Sequence, residues 1–111
     1  MIILHICTID AWQNAQAAGS YQGDTLASEG FIHCSTPQQI VTVANRFYRG
    51  QQGLCLLLID RARVQAPVRD ENLEGGESLF PHIYGPLNLN AVVDVRPFEP
   101  RADGSFAPPA I

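Results

Sequence analysis

The run LCLLLID at residues 54–60 restricts the fold of this chain more than any other stretch. A strand with one wet face alternates apolar and polar side chains, whereas six consecutive apolar residues leave no face for water. The run is therefore expected to be a central strand covered on both sides. Residues 2–7 supply a first strand, with Ile3, His5 and Cys7 on one face and Ile2, Leu4 and Ile6 on the other. Asp10 is placed to cap a helix, with Gln13 three residues on and Trp12, Ala15 and Ala18 along one side, until Gly19 stops it. Residues 20–28 read as a polar connection and 30–34 as a strand.

A second helix is expected from Thr36-Pro37-Gln38-Gln39, which offers a hydroxyl cap, proline at the first helical position and glutamine three residues after the cap. Ile40, Val43, Ala44 and Phe47 recur at helical spacing up to Gly50. Residues 61–79, with Arg61, Arg63, Arg69, Asp70, Glu71 and the Gly75-Gly76 pair, read as one long polar connection. Connections of that length are uncommon in small domains and are often lids or binding loops. Residues 80–84 look extended, Gly85-Pro86 turns the chain, and 91–98 give a last strand. The pattern predicts a single α+β domain over residues 1–99 with a mixed sheet and two main helices. The tail, 100–111, is expected to fray.

Composition excludes several kinds of function. The 111 residues carry a formal charge of −4, against any broad nucleic-acid surface. Arginine supplies all seven basic side chains, so lysine chemistry (Schiff bases, pyridoxal phosphate attachment, a phosphate-loop lysine) is absent. Three cysteines, Cys7, Cys34 and Cys55, form no paired framework and fit reduced thiols in the cytoplasm. No stretch approaches the length of a membrane span.

The chemistry centres on EGFIHCST, residues 29–36. Strand alternation puts Phe31, His33 and Ser35 on one face and Ile32 and Cys34 on the other. All three histidines of the chain, His5, His33 and His82, stand in strand-like blocks. Each is either a half-buried ring satisfied by backbone or part of a ligand site. No HxH, HExxH or CxxC spacing is present, so no metal site is assigned. Cys34 and Cys55 read as core residues, not nucleophiles. Ser35 or Thr36 caps the following helix, whose N-terminus suits phosphate. Pro81 and Pro86 bracket His82 and Tyr84 and would hold the two rings rigidly. Arg69 and Glu71 flank Asp70, either as a solvated cluster or as ligand groups.

ILHI at 3–6, Trp12, EGFIHCST, the apolar strand ending in Asp60, Arg69 with Glu71, and FPHIYGPLNL resemble the family named domain of unknown function 952. The resemblance covers nearly the whole chain up to about Pro97. It implies a fold like the ADP-ribosyltransferases, a split α+β sheet whose cleft binds NAD in the active relatives. The first-strand histidine that contacts ribose in those relatives would be His5, and His33 or Ser35 would line the nicotinamide side. The late glutamate of active transferases has no clear counterpart; His82, Tyr84 and Glu71 stand in that region. The ligand implied is NAD or an ADP-ribose-type nucleotide, a candidate substrate and not a firm cofactor. Ligand binding would fall to His5, His33, Ser35, Thr36, Arg69 and Tyr84, and catalysis at an N-glycosidic bond to Glu71 and His82. The alternative is a non-catalytic module for a metabolite or peptide. Neither nucleic acid nor membrane is an expected partner, and the sequence carries no sign of oligomeric state.

Overall fold

Leu54, Leu56, Leu57 and Ile59 are fully buried, as a strand apolar on both faces must be. The computed structural model describes residues 1–73, 76 and 78–111, so Gly75 of the glycine pair lies outside the described residues. In chain order the elements are strand β1 (Ile2–Thr8), helix α1 (Ile9–Ala18), β2 (Ser20–Tyr21), helix α2 (Leu26–Glu29), β3 (Ile32–His33), helix α3 (Ile40–Phe47), β4 (Leu54–Asp60), β5 (Val68–Glu71), β6 (Phe80–Ile83), β7 (Leu87–Asn88) and β8 (Val92–Pro97). Single 3₁₀ turns occupy Arg61–Arg63 and Leu89–Ala91.

The apolar run, β4, lies between β1 and β8; β2 pairs with β7, and β6 lies between β3 and β5. Every one of these ladders is antiparallel, which replaces the mixed sheet expected from sequence. Side-chain alternation sets which face is buried but not strand direction, which the connections decide. Leu4 and Ser35 exchange two backbone hydrogen bonds, of 2.7 and 2.8 Å, and so join β1 to the segment that follows β3.

Two apolar cores flank the β1–β4 pair. On one side Ile3, Cys7, Leu57 and Ile59 pack with Ile32, Ile83 and Leu87 of the smaller sheets and with Ala15 of α1. On the other, Leu4, Ile6, Leu56 and Leu58 pack beneath Ile40 and Ala44 of α3, with Phe98 and Phe106. Each buried leucine or isoleucine contributes about 1.5–3 kcal/mol relative to exposure, so this two-sided strand dominates the apolar stabilisation.

Several sequence expectations are corrected in detail. Thr8, not Asp10, caps α1: its Oγ1 accepts the Ala11 N–H at 3.0 Å, and Asp10 sits in the first turn, favourable to the helix dipole. Thr8→Ala should therefore lower stability by about 1 kcal/mol in urea unfolding, while Asp10→Ala should cost only a few tenths. The expected cap of the second helix also shifts. Gln39 Oε1 accepts the Thr36 N–H at 3.0 Å, but residues 37–39 form a turn and α3 starts at Ile40. The polar connection 61–79 contains β5, an edge strand. Val-Arg-Asp-Glu looks like loop because edge strands tolerate the charges that central strands exclude.

Residues 101–106 of the tail are hydrogen-bonded to one another and to the body of the domain. Gly104 N–H bonds Arg101 C=O at 2.9 Å, Gly50 N–H bonds Gly104 C=O at 2.8 Å, and Phe106 N–H donates to Asn45 Oδ1 at 2.7 Å. Phe106 stacks on Phe98 with ring centroids 4.7 Å apart. No helix among the described residues is long and apolar enough to cross a membrane.

Candidate functional site

The β3–β6–β5 sheet has two unlike faces, and strand alternation explains both. Ile32, Ile83 and Val68 stand opposite one another and face the core, whereas the next row, His33, His82 and Arg69, faces outward. The same alternation puts Phe31, Ser35, Glu71 and Tyr84 on the outward face. Five of the residues singled out in the sequence, His33, Arg69, Glu71, His82 and Tyr84, thus share one face of this sheet, with Ser35 beside it on the bridge to β1. A cavity of about 390 Å³ opens there; His33, Ser35, Glu71 and His82 line it, together with Asp24 and Glu29.

Glu71 is the centre of a hydrogen-bonded triad. Its Oε1 accepts from Tyr84 Oη at 2.5 Å and from His82 Nδ1 at 3.0 Å. The Tyr84 hydroxyl first and His82 second hold the Glu71 carboxyl below the usual range, and the carboxylate in turn pushes the Tyr84 phenol up. A carboxylate only accepts, so Nδ1 of His82 carries a proton, and in the neutral ring Nε2 carries the lone pair. Among the described residues no protein group bonds that Nε2, although His82 is only 4% exposed and lines the cavity. Ser35 is likewise 4% exposed and lines the cavity, and its Oγ has no protein partner among the described residues. Among the described residues no unpartnered side-chain N or O atom is sealed away from solvent, so both atoms are reached by it.

Phe31 fixes the rings around it. It stacks on His82 with centroids 4.2 Å apart at 24°, and packs against His33 at 4.7 Å and Tyr84 at 5.3 Å. The His33 and His82 rings meet edge-on at 5.4 Å, and His33 Nε2 lies 3.3 Å from both oxygens of Glu29.

His5 serves otherwise. Its Nδ1–H can only donate to the His33 carbonyl, at 2.5 Å, so its Nε2 accepts from Tyr21 Oη at 2.6 Å. Burial is the main cause that lowers its pKa from 6.5 to about 4, so the ring is neutral. His5 edges the cavity, but both nitrogens are spent within the protein, and the ribose contact implied by the resemblance has no free atom there. Thr36 and Arg69 are not in the cavity lining. The Thr36 N–H is taken by Gln39, and the Arg69 guanidinium lies over the Tyr84 ring, 5.0 Å from its centroid. The three thiols are buried: burial pushes Cys34 up, and in the Cys7–Cys55 contact, sulfur to sulfur at 3.7 Å, Cys7 is raised and Cys55 lowered. Among the described residues no three His, Cys, Asp or Glu side chains are grouped to hold a metal ion.

Sequence reasoning overlooked Phe31 as the ring that sets the histidines, Tyr21 as the partner of His5, and Asp24 in the lining. Phe31 was legible, since it shares the strand face of His33. Tyr21 and Asp24 arrive through tertiary packing of the 20–28 segment and have no local signature.

No curated protein matches this chain. Two crystal structures of the Caulobacter crescentus protein CC0527, one of them of a double mutant, are each 30% identical, with TM-scores of 0.87, 96% of this chain covered and 94% of theirs. The solution structure of CC0527 gives 30% identity and a TM-score of 0.82 over 94% of this chain and 90% of that one. A family model described as "Protein of unknown function (DUF952)" matches residues 6–95, and with that span and these structural relatives the chain belongs to the DUF952 family.

Proposed function

We propose that the outward face of the β3–β6–β5 sheet is a small-molecule site at which His82 transfers a proton. The observation that carries this reading is the Nε2 of a buried His82, which no group among the described residues bonds and whose other nitrogen is fixed by a carboxylate that Tyr84 also holds. A histidine oriented through one nitrogen by a carboxylate presents the other as a general base, and the carboxylate then steadies the imidazolium that forms. Glu71 is the positioning residue in this arrangement, and His33 and Ser35 offer further polar contacts.

On this reading the three sheets are the split sheet of an ADP-ribosyltransferase-like fold, and the ligand is NAD or an ADP-ribose-type nucleotide held by its ribose end. Among the described residues no arginine lines the cavity, so a diphosphate would lie outside it. If the site turns NAD over, water adds to the ribose carbon and gives its proton to His82 Nε2. The carbon–nitrogen bond breaks with its electron pair passing to the nicotinamide nitrogen, and nicotinamide leaves neutral. The Asp24, Glu29 and Glu71 carboxylates favour the positive charge that develops on the ribose. Three buried free thiols fit a reducing compartment, the cytoplasm.

Isotope-labelled protein titrated with NAD, ADP-ribose and nicotinamide tests the reading. The His33 and His82 ring resonances should shift together with NAD and nicotinamide, and free nicotinamide should accumulate. His82→Gln should slow that release by about 10²–10⁴-fold. Convergent shifts without release would make the site a binding module, and no shift at millimolar ligand would remove the nucleotide from consideration.

A further inference from the structure

We infer that the cavity selects its ligand by a cationic nitrogen, an ammonium or pyridinium group carried on an aromatic or short aliphatic body. The inference rests on the cavity being a small-molecule site and names the class of molecule it takes, independently of any proton transfer at His82.

Charge is the first argument. Asp24, Glu29 and Glu71 line the cavity, and among the described residues none of the arginines does. The chain has no lysine to supply a counter-charge. Arg69 offsets Glu71 from outside, across the Tyr84 ring, but leaves Asp24 and Glu29 facing the opening. The lining thus carries three carboxylates, and a concave wall of one sign concentrates the opposite ion.

Hydrogen bonding is the second argument and is independent of charge. His82 Nε2 and Ser35 Oγ are set in residues 4% exposed, and no described group meets them. With Nδ1 protonated, Nε2 accepts, and the serine oxygen has lone pairs to offer. An ammonium N–H satisfies both acceptors, whereas a carboxylate can offer Nε2 only another lone pair.

The rim supplies the third. Val43, Phe47, Leu73 and Phe80 line the same cavity, with Phe47 56% and Leu73 59% exposed. Apolar side chains around a polar floor suit a molecule with a charged head and an apolar body, and the aromatic faces also attract cations.

Three probes of nearly one shape test the inference: benzylamine, benzyl alcohol and benzoate, each titrated into labelled protein at neutral pH. Benzylammonium should shift the His82, Ser35 and Phe80 signals and bind at least about tenfold tighter than benzoate. Combining Asp24→Asn with Glu29→Gln, both at exposed positions, should remove most of that preference while the folded spectrum persists. Equal or tighter binding of benzoate overturns the inference and leaves the small-molecule site standing. Shifts from benzylamine confined to residues outside the cavity also overturn it. Failure of all three probes at millimolar concentration also overturns the inference, and the small-molecule site is then decided by the NAD titration alone.

Discussion

Phe106→Ala should lower the unfolding free energy by about 3–5 kcal/mol, the range for emptying a buried aromatic site. Phe106 is 1% exposed, stacks on Phe98 and closes the core beneath α3. The alanine would leave a void beside Phe98, in the core that also holds Leu4, Leu56 and Ile40, and the central strand is packed from the other side as well, which opposes collapse. Urea unfolding gives the number, and Ile111→Ala, at a residue 49% exposed, is the matched control expected to change stability by less than about 0.5 kcal/mol. If Phe106→Ala matched that control, the tail would be the frayed extension that its prolines suggest.

The second large effect is on stability against pH. His5 titrates at 6.5 when unfolded and at about 4 when folded, with burial as the leading cause. The unfolded chain therefore binds a proton that the folded one refuses, and stability falls as pH drops through the interval between those values. The loss is about 2 kcal/mol by pH 5 and about 3 kcal/mol near pH 4. Above 6.5 the term is flat. Carboxylates with lowered values, such as Glu71 and Asp70, lose their stabilisation only at lower pH, so they do not obscure the upper part of the window. His5→Gln, which cannot titrate, should start less stable at neutral pH and show a much shallower decline to pH 5. Parallel decline in both proteins would show that the wild-type slope arises elsewhere.

The sequence told most where a side chain is governed by its own strand. Uniform apolarity placed LCLLLID between two cores, and alternation placed Phe31, His33 and Ser35 on one face of their strand, to which strand pairing adds His82 and Tyr84. It told less where charge obscures periodicity, as in Val68–Glu71, an edge strand that reads as loop. It told least where the decisive partner is remote. Nothing near His5 indicates that Tyr21 and the His33 carbonyl will consume both its nitrogens. Nor does the Pro-rich tail show that Asn45 waits to accept the Phe106 N–H. For His5 and for the tail the reason is the same: satisfaction of buried polar and apolar groups is settled across the fold, not along the chain.

The His5 ring stands on β1, the Tyr21 hydroxyl on β2 and the His33 carbonyl on β3, one from each of the three sheets. Substitution at these positions is therefore not a set of separate choices. Phenylalanine at position 21 strands the His5 lone pair, and an apolar residue at position 5 strands the tyrosine hydroxyl, yet the two changes together forgive part of each other's cost. Sequence drift in this fold is expected to move positions 5 and 21 as a pair, with the backbone at position 33 as the fixed point on which both must agree.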